Sequence, residues 1–231
     1  MLVSLCTYNE RGNVVSLIPE ILRLLPDANI VVIDDNSPDG TGQAVEELRA
    51  SDPRVHLVSR PGKLGLGTAT IAAFRFAIAG GYDFLLNLDA DFSHPPRHIP
   101  ELLRAAADAD VVIGSRYVPG GATPGWSWRR RFMSWCINTY SRLMLGLRLR
   151  DLSGAFRCYR VSRLRQLDLD RIRARGYAVQ EEILYRCKRI GCTFVETPIT
   201  FEERRYGTTK INAREAAAAL WTLARLPWER G

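Results

Sequence analysis

Two aspartates separated by one residue stand in the segment DADFSHPP, residues 89–96. Carboxylates with this spacing can share a hard divalent ion, because Mg²⁺ and Mn²⁺ prefer oxygen ligands and complete their shells with phosphate oxygens and water. A metal held in this way would neutralise charge that builds on a diphosphate leaving group. Aspartates also cap helices, so the spacing alone is a weak signal. The apolar segment before the pair favours a strand-end metal site formed by Asp89 and Asp91.

Two further polar clusters follow apolar segments near the start of the chain. In IVVIDDNSPDGT, Asp34 and Asp35 are placed to accept hydrogen bonds from a base or ribose, whereas Asp39 is predicted to cap the next helix. In CTYNERGN, Tyr8 is available for stacking or packing and Glu10 for a polar contact. Ordinary turn chemistry is the alternative for this second segment.

A third segment, RPGKLGLG, places Lys63 among three glycines. Glycine lets the backbone approach a ligand closely, and lysine binds phosphate as a point charge. The segment matches neither the P-loop pattern nor the dinucleotide fingerprint, so dehydrogenase chemistry is disfavoured. His94 and His98 are predicted to begin a helix or lie on the surface, and the sequence offers no evident His–Asp pair for general base catalysis.

Short apolar runs alternate with helix-length segments over the first 115 residues. The runs predict buried strands at 2–6, 30–33, 55–58, 84–88 and 111–113. The intervening segments predict helices at 12–25, 40–50, 66–79 and 97–107. This alternation predicts an α/β fold with a doubly wound, mostly parallel sheet and flanking helices. Ligands bind beyond the carboxyl ends of such strands, which is where the acidic clusters fall.

The pattern changes after Arg116. A glycine- and proline-rich loop leads to a helix predicted at 130–147, followed by a strand at 152–160, a helix at 179–190 and a strand at 193–199. An alanine-rich, amphipathic helix is predicted at 213–226. With no internal repeat or linker, we expect one domain at 1–212, with a change of pattern between about 1–115 and about 116–212, plus a C-terminal helical extension at 213–231.

Charge is distributed unevenly along the chain. Residues 1–125 carry a balance of −5, whereas residues 126–175 hold 13 arginines against three aspartates, a balance of +10. A basic block inside one ordered domain indicates a polyanionic partner: nucleic acid, an anionic membrane or a phosphorylated substrate. A solvated arginine-rich surface is the alternative. Acidic strand ends would repel a polynucleotide, so no nucleic-acid partner is expected.

Features of compartment and membrane topology are also visible in the sequence. The five cysteines are scattered without paired spacing, which is typical of reduced thiols. No window of 18 uncharged apolar residues exists, and the N-terminal residues lack signal-peptide features. We expect a cytoplasmic protein that acts peripherally at the cytoplasmic face of the membrane.

An ordered set of motifs resembles the dolichol-phosphate (polyprenyl-phosphate) mannose synthases, which are family 2 glycosyltransferases with the GT-A fold. The motifs are TYNERGN, VIDDNSPDGTG, RPGKLGLGTA, DADFSHPP, GSRYVPGG, SGAFRCYR, GYAVQEE and FEERRYGTTK, spread in order over residues 3–212. The resemblance implies a metal-dependent (Mg²⁺ or Mn²⁺), inverting transfer of mannose from GDP-mannose to dolichyl or polyprenyl phosphate.

The resemblance also implies a nucleotide-sugar half at about 1–115, an acceptor half at about 116–212 and roles for individual residues. Those implied to hold the nucleotide sugar are Thr7, Tyr8, Glu10, Asp34, Asp35, Lys63, Asp89, Ala90, Gln180 and Lys210. Those implied to bind the acceptor phosphate are Arg116, Arg130, Ser134 and Arg204. Asp89 and Asp91 would hold the metal, and these two aspartates with Arg116 and Arg204 would form the catalytic set.

The sequence departs from the family at two places. Ser93 stands where some relatives have a glutamine that ligates the metal. Many relatives also continue into C-terminal membrane spans, so attachment here is expected to be peripheral or through a separate membrane-anchoring subunit.

Three alternative functions remain open at the level of sequence. The same transfer could use another donor, such as UDP-glucose. A sugar-phosphate nucleotidyltransferase shares a similar sheet but carries a glycine-rich basic loop after its first strand, which CTYNERGN is not. A non-enzymatic membrane- or nucleic-acid-binding module would use the basic block alone.

Overall fold

A seven-stranded sheet forms the centre of the protein in the computed structural model, which describes residues 1–174, 176, 178–203 and 220–228. The strands are β1 (Leu2–Thr7), β2 (Asn29–Asp34), β3 (Val55–Ser59), β4 (Phe84–Asp89), β5 (Val111–Ser115), β6 (Arg157–Arg160) and β7 (Phe194–Pro198). Their order is β3-β2-β1-β4-β6-β5-β7, and only β6 runs antiparallel to its neighbours. The predicted α/β fold with a mostly parallel sheet is therefore confirmed, and it is the GT-A architecture.

Helices cover both faces of the sheet. They are α1 (Arg11–Leu24), α2 (Thr41–Ser51), α3 (Leu66–Ala79), α4 (Ile99–Ala105), α5 (Trp128–Leu145), α6 (Val161–Leu164) and α7 (Val179–Arg189), with short 3₁₀ turns at Pro96–His98, Leu169–Arg171 and Leu226–Trp228. Residues 220–225 are helical and, with the last 3₁₀ turn, form what we call the terminal segment (residues 220–228). The greater part of the extension predicted at 213–231 lies outside the described residues.

Two hydrophobic cores lie on opposite faces of the sheet. Alternate residues of β2 enter different cores: Ile30 and Val32 pack with α1, α2 and α4, whereas Val31 and Ile33 pack with α3 and α7. Strands that are buried on both faces read as continuous apolar runs, which is why the sequence predicts them well.

The strand predicted at 152–160 is shorter than expected. Only Arg157–Arg160 joins the sheet, because the backbone N–H groups of Leu152 and Gly154 bond to side chains instead of to a neighbouring strand. Leu152 N–H donates to Asn138 Oδ1 at 2.7 Å, and Gly154 N–H donates to Asp151 Oδ1 at 3.1 Å. The segment 151–156 is therefore a loop.

The fifth helix begins and ends two residues earlier than predicted. Ser127 caps its start, accepting a hydrogen bond from Arg130 N–H, and Gly146 ends it with a φ of +60°. Among the described residues, none of the helices combines the length and apolarity needed to cross a bilayer.

Candidate active site

The ends of β1, β2 and β4 meet at one edge of the sheet. Thr7 and Asp34 are register partners, and Thr7 Oγ1 donates to Asp34 Oδ1 at 2.8 Å. Cys6 is the register partner of Asp89 on the other side of β1. The three acidic and polar clusters of the sequence are therefore brought together, as expected of parallel strands.

The Asp89–Asp91 pair lies in a tight turn after β4. Asp91 is almost fully buried, and its Oδ1 accepts hydrogen bonds from Ser93 N–H at 3.0 Å and Ser93 Oγ at 2.6 Å. Phe92 holds the turn with a φ of +64°. The Asp89 side chain is 36% exposed, and buried Ala90 lies between the two carboxylates.

This carboxylate pair fits a divalent metal that draws its other ligands from the substrate. Two hard oxygen donors at one turn suit Mg²⁺ or Mn²⁺. Within the described part of the chain, no group of three or more histidine, cysteine, aspartate or glutamate side chains forms a complete metal cage. The Ser93 hydroxyl donates a hydrogen bond to Asp91 and so orients that carboxylate.

His94 contacts the same turn and lies just before the 3₁₀ turn that begins at Pro96, and because it is buried, the alternative of a surface position is wrong. Asp89 N–H donates to His94 Nδ1 at 3.2 Å, while the Asp89 Oδ2 atom lies 3.6 Å from that nitrogen. A backbone N–H can only donate, so Nδ1 acts as an acceptor. The imidazole therefore supports the turn instead of forming an aspartate-oriented base.

Asp34 and Asp35 anchor the neighbouring loops. Asp34 accepts hydrogen bonds from Thr7 Oγ1, from Ser37 Oγ at 2.6 Å and from Ser37 N–H at 3.0 Å. Asp35 pairs with Arg60 and accepts from Leu64 N–H at 3.1 Å, which fixes the loop that carries Lys63. These bonds use most of the acceptor capacity of both carboxylates, so direct contact with a base or ribose stays a prediction.

Asp39 is structural, as predicted. Its Oδ1 accepts from Thr41 N–H and Thr41 Oγ1 at the start of α2, and its Oδ2 accepts from Arg11 N–H at the start of α1. One carboxylate thus caps two helices.

Tyr8 and Lys63 come from separate segments and meet at the site. The Lys63 Nζ lies 4.4 Å from the centroid of the exposed Tyr8 ring. A ring and a cation placed together suit stacking on a base beside a phosphate. Glu10 precedes α1 and accepts from Asn13 Nδ2 at 2.6 Å, which is the turn chemistry that the sequence left open.

Arg116 forms a bidentate ion pair with Asp151. Its Nε and Nη2 donate to the two carboxylate oxygens at 2.7 and 2.6 Å, and Nη2 also donates to Ser153 Oγ at 2.8 Å. Burial would lower the pKa of Arg116, but the adjacent Asp151 raises it above its ordinary value. Burial would likewise raise the pKa of Asp151, whereas Arg116 holds it below its usual range. Within the described part of the chain, these bonds leave Nη1 as the nitrogen that could reach a phosphate.

An aromatic cluster joins this ion pair to the aspartate turn. The Phe201 ring lies 5.3 Å from His94 and 5.4 Å from Trp126, measured between ring centroids. Arg116 Cζ lies 5.5 Å from both the Trp126 and the Phe201 centroids, and Arg130 Cζ lies 3.9 Å from Trp126. Two arginines implied in phosphate binding are thus held on one aromatic surface beside the acidic turn.

Ser134 lies on α5 next to this surface. Its Oγ is 2.6 Å from the hydroxyl of Tyr117, a residue of the loop that follows β5. The structure therefore brings together Arg116, Arg130 and Ser134. Arg204 and Lys210 lie outside the described residues, so their roles stay predictions.

Gln180 lies in the first turn of α7 and is 2% exposed. Neither its amide oxygen nor its amide nitrogen has a hydrogen-bond partner among the described residues. A buried amide without partners is costly, and sugar hydroxyls would satisfy it.

A buried charged layer supports this end of α7, and sequence reasoning assigned no role to its members. Arg157 is fully buried and donates to the carbonyl oxygens of Gln180 and Leu152. Glu181 is also buried, and burial raises its pKa to about 7. Asp151 is a lone acidic residue among arginines in the sequence. That pattern is the signal from which part of this layer could have been predicted.

The cysteines at the sheet do not offer a nucleophile. All five are free, and burial raises the pKa values of Cys6 and Cys158 to about 12. A thiol with such a pKa is protonated at neutral pH and reacts poorly. Covalent catalysis through these cysteines is therefore disfavoured.

Comparison with known proteins connects this site to a family. Residues 3–168 match the family described as glycosyl transferase family 2. An undecaprenyl-phosphate mannosyltransferase of Micrococcus luteus is 42% identical over 219 residues, covering 95% of this chain and 90% of the relative. A polyprenol monophosphomannose synthase of Mycolicibacterium smegmatis is also 42% identical, covering 96% of this chain and 85% of the relative.

Solved structures show the same fold at lower identity. The glucosyl-3-phosphoglycerate synthase of Mycobacterium tuberculosis, in complex with Mn²⁺, UDP and glucosyl-3-phosphoglycerate, aligns with a TM-score of 0.65 at 21% identity, covering 98% of this chain and 77% of that one. A mannosyltransferase of Pyrobaculum calidifontis, in complex with GDP-Man and Mn²⁺, aligns with a TM-score of 0.55 at 18% identity, covering 98% and 70%.

Proposed function

The chain belongs to glycosyl transferase family 2 and is a glycosyltransferase, and from this premise we propose that it transfers mannose from GDP-mannose to a polyprenyl phosphate, with inversion at the anomeric carbon. Both relatives at 42% identity are named for making a polyprenyl-linked mannosyl phosphate, which supports the sugar and the acceptor. The observation that carries the proposal is the placement of the Asp89–Asp91 turn beside the aromatic surface that holds Arg116 and Arg130.

The donor would occupy the side of the site formed by residues 1–115. Tyr8 offers a ring for the base and Lys63 a cation for the diphosphate. The loop that carries Lys63 is held in place by Asp35 and Arg60. Gln180 offers the unpaired amide that would bind sugar hydroxyls.

The acceptor phosphate would lie against the side formed by residues 116–212. A phosphate monoester is mostly a dianion near neutral pH, because its second pKa is roughly 6. It therefore needs no general base, and the chain's task is to place it in line with the anomeric carbon. Arg116 Nη1, the Arg130 guanidinium and Ser134 are the groups proposed for this task.

The reaction would be a single displacement. A phosphate oxygen forms the new bond to the anomeric carbon while the bond to the nucleoside diphosphate breaks, and the bonding electron pair departs with the diphosphate. Asp89 and Asp91 would hold a divalent metal, which when bound supplies charge stabilisation for the departing diphosphate. Ser93 and His94 keep this turn in shape.

The test is transfer of labelled sugar into an organic-extractable lipid. Polyprenyl phosphate and Mg²⁺ or Mn²⁺ would be supplied with GDP-mannose and, in parallel, with UDP-glucose. Asp91→Asn should lower transfer at least about a hundredfold, since it removes a charge that the transition state uses. Asp108→Asn makes the same atomic change at an exposed carboxylate after α4 and should leave transfer unchanged.

Each result has a distinct meaning. Transfer from GDP-mannose that Asp91→Asn abolishes supports the proposal. Transfer from UDP-glucose alone keeps the mechanism and replaces the donor. Full activity of Asp91→Asn would contradict the role given to the aspartate turn.

A further inference from the structure

His98 forms a hydrogen bond between two segments that are distant in the sequence. It ends the 3₁₀ turn Pro96–His98 and directly precedes α4, which agrees with the helix start predicted for it. Its Nε2 accepts a hydrogen bond from Thr200 N–H at 3.2 Å, in the chain that follows β7. A backbone N–H can only donate, so the ring proton lies on Nδ1. The bond therefore requires a neutral imidazole, because a protonated ring has no acceptor nitrogen.

The two residues after Thr200 are held by other segments. Phe201 N–H donates to the Ala122 carbonyl oxygen at 2.9 Å, and Glu202 N–H donates to the Ser93 carbonyl oxygen at 3.1 Å. Three consecutive amide groups thus bond to three separate parts of the chain. Of the three acceptors, the one at Thr200 is the side chain that titrates near neutral pH.

The Phe201 ring connects this stretch to the groups proposed for the acceptor phosphate. Its centroid lies 5.4 Å from that of Trp126, and the Cζ atoms of Arg116 and Arg130 lie 5.5 and 6.0 Å from it. Phe201 is buried, and close-packed side chains transmit a displacement to their neighbours. A shift of the backbone at residue 201 would therefore displace the surface on which both guanidiniums lie.

The surroundings of His98 favour the neutral ring. Burial and the adjacent Arg97 lower the pKa of His98 below its ordinary value of 6.5, and His94 acts in the same direction. Glu101 and Glu202 act in the opposite direction without reversing the shift. The ring is therefore neutral at neutral pH, and it becomes a cation that cannot accept an N–H only under acidic conditions.

An exposed ion pair joins the same two segments. Arg97 Nη2 donates to Glu202 Oε1 at 2.6 Å, and the two side chains are 57% and 43% exposed. Exposed pairs contribute little, because water and salt screen them. We therefore expect the half-buried bond from Thr200 to His98 to be the side-chain contact that fixes this stretch.

We propose that His98 is a positioning residue for the acceptor phosphate. Its neutral imidazole holds Thr200 and thereby fixes the aromatic surface on which Arg116 and Arg130 lie. Protonation of the ring releases Thr200 and weakens acceptor binding, whereas the donor, on the other side of the site, binds unchanged. This inference rests on the proposed function, because it takes the two arginines as ligands of the acceptor phosphate.

The experiment compares two substitutions of His98 in the full chain. His98→Gln keeps an acceptor oxygen that does not titrate, so at about pH 8 its KM for a short-chain isoprenyl phosphate should stay within about twofold of the wild type. His98→Leu should raise that KM about tenfold, since the Thr200 N–H is left without a partner. The KM for GDP-mannose should change little in either variant.

The pH dependence separates positioning from packing. The acceptor phosphate itself takes up a proton with a pKa of roughly 6, but this affects all forms of the enzyme alike and cancels in their ratio. From about pH 8 to about pH 5, kcat/KM for the acceptor in His98→Gln should rise at least about threefold relative to the wild type. The same ratio for His98→Leu should rise towards one, because acid removes the wild-type bond as well.

Two further measurements do not depend on catalysis. Nuclear magnetic resonance should show the His98 ring as the Nδ1–H tautomer at about pH 8, and the Thr200 amide proton should shift with the same midpoint as the ring. This shift of the amide should be absent in His98→Gln. Calorimetric titration of isoprenyl phosphate into protein with GDP and Mn²⁺ measures acceptor affinity even where no sugar is transferred.

His56 offers a matched control. It lies half-buried on β3, at an edge of the sheet, and its Nε2 is 3.0 Å from Asn29 Oδ1. Burial lowers the pKa of His56 as it does that of His98. His56→Leu and His56→Gln should leave the acceptor KM and its pH dependence unchanged. Circular dichroism and thermal melting would show which variants are folded, and if His98→Leu is not, the pH-dependent ratio of His98→Gln decides.

The outcomes separate this inference from the proposed function. A raised acceptor KM in His98→Leu, together with the pH-dependent ratio of His98→Gln, supports positioning. A flat ratio, an Nε2–H tautomer or an equal rise of donor and acceptor KM overturns it and leaves the function standing. If the wild type transfers from neither donor, weaker isoprenyl phosphate binding by His98→Leu still supports positioning. Equal binding by wild type and variant, or no binding by the wild type, overturns it.

Discussion

At the scale of single residues, Asp91 is a candidate metal ligand whose carboxylate is held in one orientation. Its Oδ1 is held by both the hydroxyl and the backbone N–H of Ser93, so the carboxylate cannot rotate freely. A carboxylate that is oriented before the metal binds loses less entropy on binding, which is the usual contribution of partners behind a ligand.

Ser93→Ala tests this contribution. We expect the metal concentration that gives half-maximal transfer to rise roughly tenfold, because the hydroxyl bond from Ser93 to Asp91 is lost while the backbone bond stays. Saturating metal should restore most of the rate, and titration of Mn²⁺ into protein with GDP should show the same weakening. A loss of rate that saturating metal does not restore would contradict a purely orienting role.

Glu181 gives a prediction about pH and stability. Burial raises its pKa from 4.5 to about 7 in the folded protein. The folded state therefore binds more protons than the unfolded state between these values, so stability falls as pH rises from about 4.5 to 7. The loss is on the order of 3 kcal/mol for a shift of this size.

Glu181→Gln removes this titration. The difference in unfolding free energy between variant and wild type, from urea denaturation, should shift in favour of the variant on going from about pH 5 to about pH 8. Glu46→Gln, at an exposed position, should show no such shift. A constant difference between wild type and Glu181→Gln across this range would mean that Glu181 is ionised in the folded protein throughout.

At the scale of elements, the loop after β5 joins the two halves of the site. It carries Arg116 and returns to the edge of the sheet, where Ala122 N–H donates to the Ile199 carbonyl oxygen at 3.0 Å and Phe201 N–H donates to the Ala122 carbonyl oxygen at 2.9 Å. The same loop therefore fixes both Arg116 and the aromatic surface on which it lies.

Gly121 is required for this loop to close. A Cβ atom at Gly121 would lie 2.7 Å from the carbonyl oxygens of Ser115 and Arg116, and backbone atoms cannot yield as a flexible side chain would. We expect Gly121→Ala to lower the unfolding free energy by about 1–3 kcal/mol and to lower transfer through displacement of Arg116. Gly62→Ala, whose new Cβ would have no heavy atom within 4 Å, is the control for stability in chemical denaturation. Equal stability of the two variants would show that the loop can relax.

At the scale of the whole molecule, negative and positive charge lie in different segments of the chain. The acidic strand ends belong to the half with a balance of −5, and the arginines of α5 and its surroundings belong to the segment with +10. The candidate metal-binding acids and the basic segment thus lie in different parts of the chain, as the proposed function requires of an enzyme with a metal and an anionic acceptor.

This separation predicts weak binding of nucleic acid. At about 0.15 M salt we expect a dissociation constant above roughly 0.1 mM for random-sequence DNA, since the segment 1–125, with its balance of −5, repels a long polyanion. Fluorescence anisotropy with a labelled duplex measures it. Micromolar, salt-dependent DNA binding would contradict this expectation and would make a polynucleotide a partner of the basic segment.

The sequence alone determined the strands, most helices and the positions of the acidic clusters. Runs such as 30–33 and 84–88 are apolar because a parallel strand is buried on both faces, and polar residues follow them because ligands bind at strand ends. These are local patterns, so they can be recognised without knowing what lies opposite. The ordered motifs likewise indicated the family.

Only the tertiary structure decided which polar groups bind each other. Arg116 and Asp151 are 35 residues apart, and Asp35 meets Leu64 across 29 residues. Such pairs depend on strand order. The sequence near β6 does not indicate that this strand runs antiparallel, and that direction is what brings Asp151 next to Arg116. The inward and outward faces of α5 were also undecided, because a helix with apolar residues on several sides shows its solvent face only when it packs. Sequence patterns indicate whether an element is buried or exposed, whereas the fold as a whole determines which residues form its hydrogen bonds and ion pairs.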